Sequence, residues 1–488
     1  MQPLRLAVVL LGFAAVTPLL AYAAVPAVPG YRDAESFAAA CDRLAESPLV
    51  TKHTLGKTAG GREIIALSIG GESLDKKPAV LVVGSVQANS LVGGALAFGM
   101  AERLVERISG GDKKTGDAET GDVKIGDEKT GDGELRALTE SATFYFIPRP
   151  SPDASERFFE APYIDSPTNT RPADDDRDGR VDEDPPADVN GDGWITQMRV
   201  EDPAGEWLPH PDEPRLMVKA DPARGEIGRY RLLTEDDADD DRDGRFAEDA
   251  VGGVDFNRNF TFEYPYFKPG SGPNQVSEPE SRAVADFAFD HPNIFLVLSF
   301  GPQANLLKDW KVGGDADGVT TTVAERDAPH FKWMADRYRD RFEPKRVPEP
   351  QPLNGSLAAW AYFHYGRWSL ATPGWWPAST DEQQATASGE GEQDKADGSD
   401  QEDPPANSQK EPAAGKQKPA AGRNENDDRG KDDRRRLAWL EEHGIDGFVP
   451  WTRWDGPKPD GIRGEVEIGG FKPFVASHPP PDELQPLA

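Results

Sequence analysis

Cysteine is almost absent: Cys41 is the only one in 488 residues. No intramolecular disulfide can form, so stability has to come from the core and, where they bind, from cations. Cys41 itself reads as a small apolar residue on a buried helix face rather than as a nucleophile. Long apolar runs are missing after the N-terminus; nothing later approaches the roughly 20 apolar residues of a spanning helix. Basic charge is heavily outweighed, with a formal net charge of -31. Like charge repels, which argues against nucleic acid and anionic membrane surfaces as partners. Histidine is sparse. The seven are His53, His210, His291, His330, His364, His443 and His478, and none forms a two-ligand metal spacing.

The N-terminus has the features of an export signal over residues 1–23. Arg5 precedes an apolar run from Leu6 to Leu20, and Ala21-Tyr22-Ala23 is a small-x-small cleavage pattern. A short membrane anchor is the alternative, but the run is short for a span and Pro26 and Pro29 follow it. Export predicts a periplasmic or extracellular protein.

Apolar strand-like runs then alternate with helical spacing. Asp33 to Ala45 spaces Phe37, Ala40, Cys41 and Leu44 as a helix does. Val50 to Ile69 predicts two strands joined at Gly60-Gly61. Pro78 to Gly84, Thr143 to Ile147 and Ile294 to Phe300 predict buried strands. Helices are expected from about Val92 to Ile108, from Ser277 to His291 with Ser277-Glu278-Pro279-Glu280 as a capping box, from His330 to Phe342 and from Arg435 to His443. Gly464 to Gly470 reads as a late strand. The fold class is α/β with a mostly buried sheet flanked by helices. Length alone allows about three domains. The pattern predicts one domain over 24–488, with low-complexity inserts at 109–133 and 377–434 and an Asp-rich insertion at 171–250.

Three acidic segments in that insertion place oxygen-bearing side chains at alternate positions, with Gly at position six. They are Asp174, Asp176, Asp178; Asp188, Asn190, Asp192; and Asp239, Asp241, Asp243. This is the opening of a calcium loop. The bidentate Glu expected at position twelve is missing, where Pro185, Arg199 and Ala250 stand. Either calcium binds and pins the insertion to the body, or these are unliganded, solvated acidic loops.

Gly252 to Phe260 holds Asn257-Arg258-Asn259. Arg can fork onto a carboxylate with two parallel hydrogen bonds, and an adjacent Asn adds donors to the same anion. The stretch is either a carboxylate site, as for a peptide C-terminus, or a polar turn whose Arg pairs with a local Asp.

Together these stretches resemble the zinc metallocarboxypeptidases of the carboxypeptidase A-like family, most of all the large bacterial branch with Asp-rich insertions. The resemblance runs from about Tyr31 to Val475 outside the two low-complexity inserts. It rests on Gly61-Arg62-Glu63-Ile64, Ser151-Pro152-Asp153, Asp255-Phe256-Asn257-Arg258-Asn259 and Ser277-Glu278-Pro279-Glu280-Ser281-Arg282. It implies a mixed eight-stranded sheet with helices on both faces and a zinc at the carboxyl ends of the strands. It also implies a His-x-x-Glu plus a later His as ligands, a Glu as general base, and an Asn-Arg pair for the substrate's terminal carboxylate. Asn257 and Arg258 match that pair, and Arg171 falls where the family places an Arg that polarises the scissile carbonyl.

The chemical positions depart from the family. Gln87 and Ser90 stand at the His-x-x-Glu positions, Gly301 at the later His and Gly374 at the base. Glu467 is a candidate substitute base on a separate late strand, and His364 lies nearest a family motif. Gln and Ser are poor zinc ligands and Gly has no side chain. Without zinc, no water is brought toward a neutral pKa. The expected protein is therefore an exported pseudoenzyme that binds carboxylates, with structural Ca2+ and no Zn2+. The alternatives are an active zinc carboxypeptidase with a displaced metal site, and a calcium-stabilised surface scaffold.

Overall fold

Four apolar runs set the centre of the molecule. In the computed structural model the described residues are 30–109, 124–125, 128–129, 132–174, 179–182, 185–236, 253–313, 320–342, 344, 347–377, 429–456, 458 and 464–479. The export signal at 1–23, Asp176, Asp178, Asp239, Asp241 and Asp243, and most of the two low-complexity inserts lie outside them.

In chain order, α1 (Ala34–Leu44), β1 (Val50–Lys57), β2 (Glu63–Ile69), β3 (Ala79–Val83) and α2 (Val92–Ser109) come first. The first insert contains a two-stranded ribbon, β4 (Lys124–Ile125) and β5 (Glu128–Lys129), and its end already belongs to α3 (Asp132–Ser141). There follow β6 (Thr143–Ile147), α4 (Pro152–Glu156), β7 (Gln197–Glu201), β8 (Trp207–Pro209), β9 (Met217–Lys219) and β10 (Tyr230–Thr234). Then come α5 (Pro279–Asp290), β11 (Ile294–Phe300), α6 (Ala328–Phe342), α7 (Leu357–Phe363) and β12 (Trp368–Thr372). α8 (Lys431–Glu442), β13 (Phe448–Arg453) and β14 (Val466–Phe471) end the chain, so the second insert stops before Lys431 rather than at 434.

The main sheet is mixed and six-stranded, in the order β1-β2-β6-β3-β11-β12. Alternate residues of β3 serve its two faces. Leu81 and Val83 pack with Phe256, Val284, Phe287 and Trp360. Val82 packs on the other face with Phe37, Cys41, Leu96 and Phe98. Each such Leu, Val or Phe contributes about 1.5–3 kcal/mol by leaving water. Burial pushes the Cys41 thiol up to about 12, so it stays protonated and fills space.

The strand count corrects the expected eight. The late strand does not join the main sheet: β14 pairs antiparallel with β7, and Ile468 lies opposite Met198. A second six-stranded sheet, β13-β14-β7-β10-β8-β9, is thus built from the Asp-rich insertion and the C-terminal segment together. The insertion is more than loop. Arg429 fastens the two, donating to Glu226 Oε1 at 3.0 Å.

The capping box is also corrected. The N-cap of α5 is Glu278 with Pro279 as first residue, and its side chain makes no cap bond. Ser277 Oγ instead donates to Glu278 Oε1 at 2.7 Å.

Register places the site. β3 pairs parallel with β6 on one side and β11 on the other, with Val83 opposite Ile147 and Ser299. The chain leaves β3 through α2 toward β6, whereas β11 leads on to β12 on the far side. Strand order therefore reverses between β3 and β11, and the crevice at their carboxyl ends is where open α/β sheets take ligands.

Candidate functional site

Two loops meet in that crevice. One follows β3 and carries Gln87 and Ser90; the other follows β11 and carries Gly301. Val86 N donates to Phe300 O at 3.2 Å and Gly301 N to Thr372 O at 2.9 Å, which joins the ends of β3, β11 and β12.

The four positions expected to carry the family's chemistry do not fit a catalytic zinc. Gln87 and Ser90 are half-buried, Gly301 is buried, and none supplies an imidazole, thiolate or carboxylate. A Cβ on Gly301 would lie 3.2 Å from Val86 Cβ, so Val86 occupies the direction a side chain would take. Gly374 is more restricted. Its φ is +77°, and an added Cβ would come 2.4 Å from Leu96 Cδ1 and 3.0 Å from Phe300 Cδ1. Both the backbone and the space require glycine there. Among the described residues no three His, Cys, Asp or Glu side chains gather into a metal-holding group. Glu467, the candidate substitute base, lies on β14 in the second sheet and accepts from Arg199 Nε at 2.7 Å. His364 follows α7 as its C-cap, with Nδ1 against Thr261 Oγ1.

The Asn257-Arg258-Asn259 stretch forms a tight turn, Phe256–Arg258, capped by Asp255, whose carboxylate accepts from Asn257 N at 2.8 Å. Burial raises the Asp255 carboxyl to about 6, against the lowering effect of that bond and of Arg258. Asn259 is wholly buried and structural. Its amide donates to Ser271 O and Ser277 Oγ, and its oxygen accepts from Ser281 Oγ at 2.6 Å, which fixes the start of α5. Asn257 is engaged internally as well. It donates to Gln303 Oε1 at 3.1 Å and accepts from Leu357 N at 3.1 Å. Arg258 differs: it is half-buried, and its Nε is shielded with no hydrogen-bond partner among the described residues.

Arg171 pairs with buried Glu278, Nη1 to Oε1 at 2.8 Å, so its charge is already balanced. Asn169 Nδ2 donates to the other Glu278 oxygen at 2.9 Å. Burial, followed by the like charge of Glu278, raises the neighbouring Glu280 carboxyl to about 7. Arg171 also lines a cleft of about 370 Å³ with Asp174, Gly253, Phe267 and Lys268. Asp153 locks the hairpin turn between β1 and β2 to this region. It accepts from Gly60 N at 2.7 Å, Arg62 Nη1 at 3.0 Å and Thr170 Oγ1 at 3.1 Å. Its burial works upward on the pKa, but bonds from Thr58, Gly60, Arg62 and Thr170 hold the carboxyl below its ordinary value.

Of the candidate cation ligands, Asp188, Asn190 and Asp192 form one folded loop. Asp188 accepts from the amides of Gly191, Asp192 and Gly193 at 2.8–3.2 Å. Asp174 Oδ2 accepts from Gly179 N at 3.1 Å. Gln303 and Asn169 carry much of the site's hydrogen bonding but have no local sequence signal, since a lone Gln after a strand is commonplace; Glu280 lies in the motif at the start of α5, but its burial beside Glu278 does not show in the sequence.

No curated protein matches the chain. Among solved structures it is similar to thrombin activatable fibrinolysis inhibitor, at 12% identity and a TM-score of 0.39, over 70% of this chain and 65% of that one. It is similar to carboxypeptidase A of Helicoverpa armigera, at 15% identity and TM-score 0.38, over 70% of this chain and 63% of that one. The metallo-carboxypeptidase of Pseudomonas aeruginosa aligns at 13% identity and TM-score 0.34, over 69% of this chain and 58% of that one. The chain thus spans less than two thirds of each of these three proteins. The family model described as Zinc carboxypeptidase matches residues 38–384, and the chain belongs to the zinc carboxypeptidase family.

Proposed function

We propose that this protein is an exported, non-hydrolytic member of its family that binds carboxylate ligands, with peptide and protein C-termini as the ligand class. The observation that carries this reading is Arg258, a guanidinium at the turn beside the crevice whose shielded Nε has no partner among the described residues. An unpaired buried donor favours an incoming anion. The absence of hydrolysis follows from Gln87, Ser90, Gly301 and Gly374, which offer neither zinc ligands nor a base. Export rests on the apolar run and Ala21-Tyr22-Ala23. No helix of the described residues is long and apolar enough to cross a membrane. Structural calcium in the Asp-rich insertion belongs to the same reading, supported by the amides that wrap Asp188.

The test is calorimetric titration with an N-acetylated dipeptide as the free acid and as its C-terminal amide. The free acid binds, the amide does not, and Arg258→Gln weakens the free acid by about 1.5–3 kcal/mol. Equal binding of acid and amide would overturn the reading.

A further inference from the structure

Arg149 follows the end of β6, after Pro148, and is almost wholly buried. Its guanidinium lies over the Phe37 ring, 4.6 Å from the centroid, and its Nη2 donates to Arg32 O at 2.6 Å. The other arm of the fork is unused: Nη1 is shielded and has no hydrogen-bond partner among the described residues. The carboxylates that act on this cation are engaged elsewhere. Glu156 Oε2 accepts from Ala34 N at 2.9 Å, and Asp33 Oδ1 accepts from Ser36 N at 2.7 Å as the cap of α1. Burial lowers the Arg149 pKa to about 10, which still leaves the group charged at neutral pH. A buried cation with an unused donor costs free energy that an incoming anion recovers.

Arg149 lines a cavity of about 530 Å³ bounded by α1, α2 and the residues just before α1. Phe37, Leu91, Leu96 and Phe98, all buried, give it an apolar wall. Arg32 stands at its edge, with its guanidinium 5.0 Å from the Phe98 ring centroid and its Nη2 3.7 Å from Glu102 Oε1. Among the charged groups lining it, Arg32, Arg103 and Arg149 outnumber Glu102 and Glu106. A local positive excess runs against the composition of a chain whose formal net charge is -31. The cavity is also separate from the Asn257-Arg258 turn. Phe37, Leu96 and Phe98 pack with Val82 on one face of the main sheet, whereas Phe256 packs with Leu81 and Val83 on the other.

We propose that this cavity is a second ligand site, which binds a small monocarboxylate with an apolar body: the carboxylate on Arg149, the body against Phe37, Leu96 and Phe98. Small-molecule sites have this make-up, a concave and largely apolar wall of a few hundred Å³ with a few polar groups that fix orientation. The guanidinium selects the acid over its amide, because it offers donors and a positive charge but no acceptor. The wall favours an aromatic body. The Phe37 and Phe98 rings already meet edge to face, with centroids 5.5 Å apart, and a third ring can extend that arrangement. The site shares no residue with the Arg258 turn, so it goes beyond the carboxylate binding proposed there and stands or falls apart from it.

The experiment is calorimetric titration of the full chain with phenylacetate and with phenylacetamide, as wild type, Arg149→Gln and Ala95→Leu, with circular dichroism to verify folding. Ala95 is a half-buried residue of α2 that lines the cavity, so a larger side chain there takes up the space of the ligand body without touching the guanidinium. Wild type binds phenylacetate, and phenylacetamide at least about tenfold more weakly. Arg149→Gln and Ala95→Leu each weaken phenylacetate at least about tenfold or lower its stoichiometry by one per chain. A wild type that does not bind phenylacetate, or that binds acid and amide equally, overturns the proposal. Binding that both variants leave unchanged in number and affinity overturns it as well, because the ligand then sits elsewhere. Should Arg149→Gln unfold, Ala95→Leu decides: weakened phenylacetate binding supports the site and unchanged binding overturns it.

Discussion

Asn257 donates its side-chain amide to Gln303 Oε1 across 3.1 Å. Both are almost fully buried. The amide that the family resemblance assigns to ligand carboxylates is therefore partly satisfied from within. Gln303 also donates to Pro352 O, and its carbonyl accepts from Trp310 Nε1, so it is fixed on three sides.

Gln303→Ala should accordingly have two opposite effects. The Asn257 amide loses its acceptor, which destabilises the fold by about 1–3 kcal/mol in urea unfolding. The freed amide becomes available to a bound carboxylate, so the free-acid peptide binds more tightly than to wild type. Loss of stability with unchanged or weaker peptide binding would mean that Asn257 does not face the ligand.

Glu280 makes stability depend on pH. Its folded-state carboxyl titrates near 7 because of burial and Glu278, whereas the unfolded chain titrates near the ordinary 4.5. The folded state holds the proton more tightly, so this contribution is fully present below the unfolded pKa and is lost as pH rises through the folded one. Wild type should lose about 3 kcal/mol from this group between pH 4.5 and 8. Glu280→Gln should flatten that window in unfolding titrations at pH 5, 6, 7 and 8. A wild-type profile unchanged by the substitution would refute the assignment.

Metal content separates the non-hydrolytic reading from hydrolysis. Elemental analysis after exhaustive dialysis with calcium in the buffer should find calcium retained and no stoichiometric zinc. One zinc per chain would overturn the non-hydrolytic reading and point to a displaced metal site.

The main sheet was legible because Ala79–Val83, Thr143–Ile147 and Ile294–Phe300 are short, largely apolar runs rich in β-branched and aromatic residues, as mostly covered strands are. The second sheet was not. β8 and β9 are three residues each, too short for a period, and β14 finds its partner β7 more than 260 positions away. The same holds within the site. Asn257 and Arg258 stand out as a motif, but nothing local marks Gln303, whose role arises because the loop after β11 meets the turn that carries Asn257. The cap of α5 misled because Asn259, from another segment, engages Ser277.

Gly374 bears on the history of the chain. Any side chain there meets Leu96 and Phe300, on a backbone that resists L residues. A glutamate could stand there only after both neighbours had shrunk and the turn had changed hand. Each of those steps opens a hole or strains the core and gives nothing back by itself. Selection proceeds by single substitutions that must each be tolerated, so the position acts as a ratchet. On the non-hydrolytic reading proposed above, what the crevice holds can change far more easily than a base can be installed at this position.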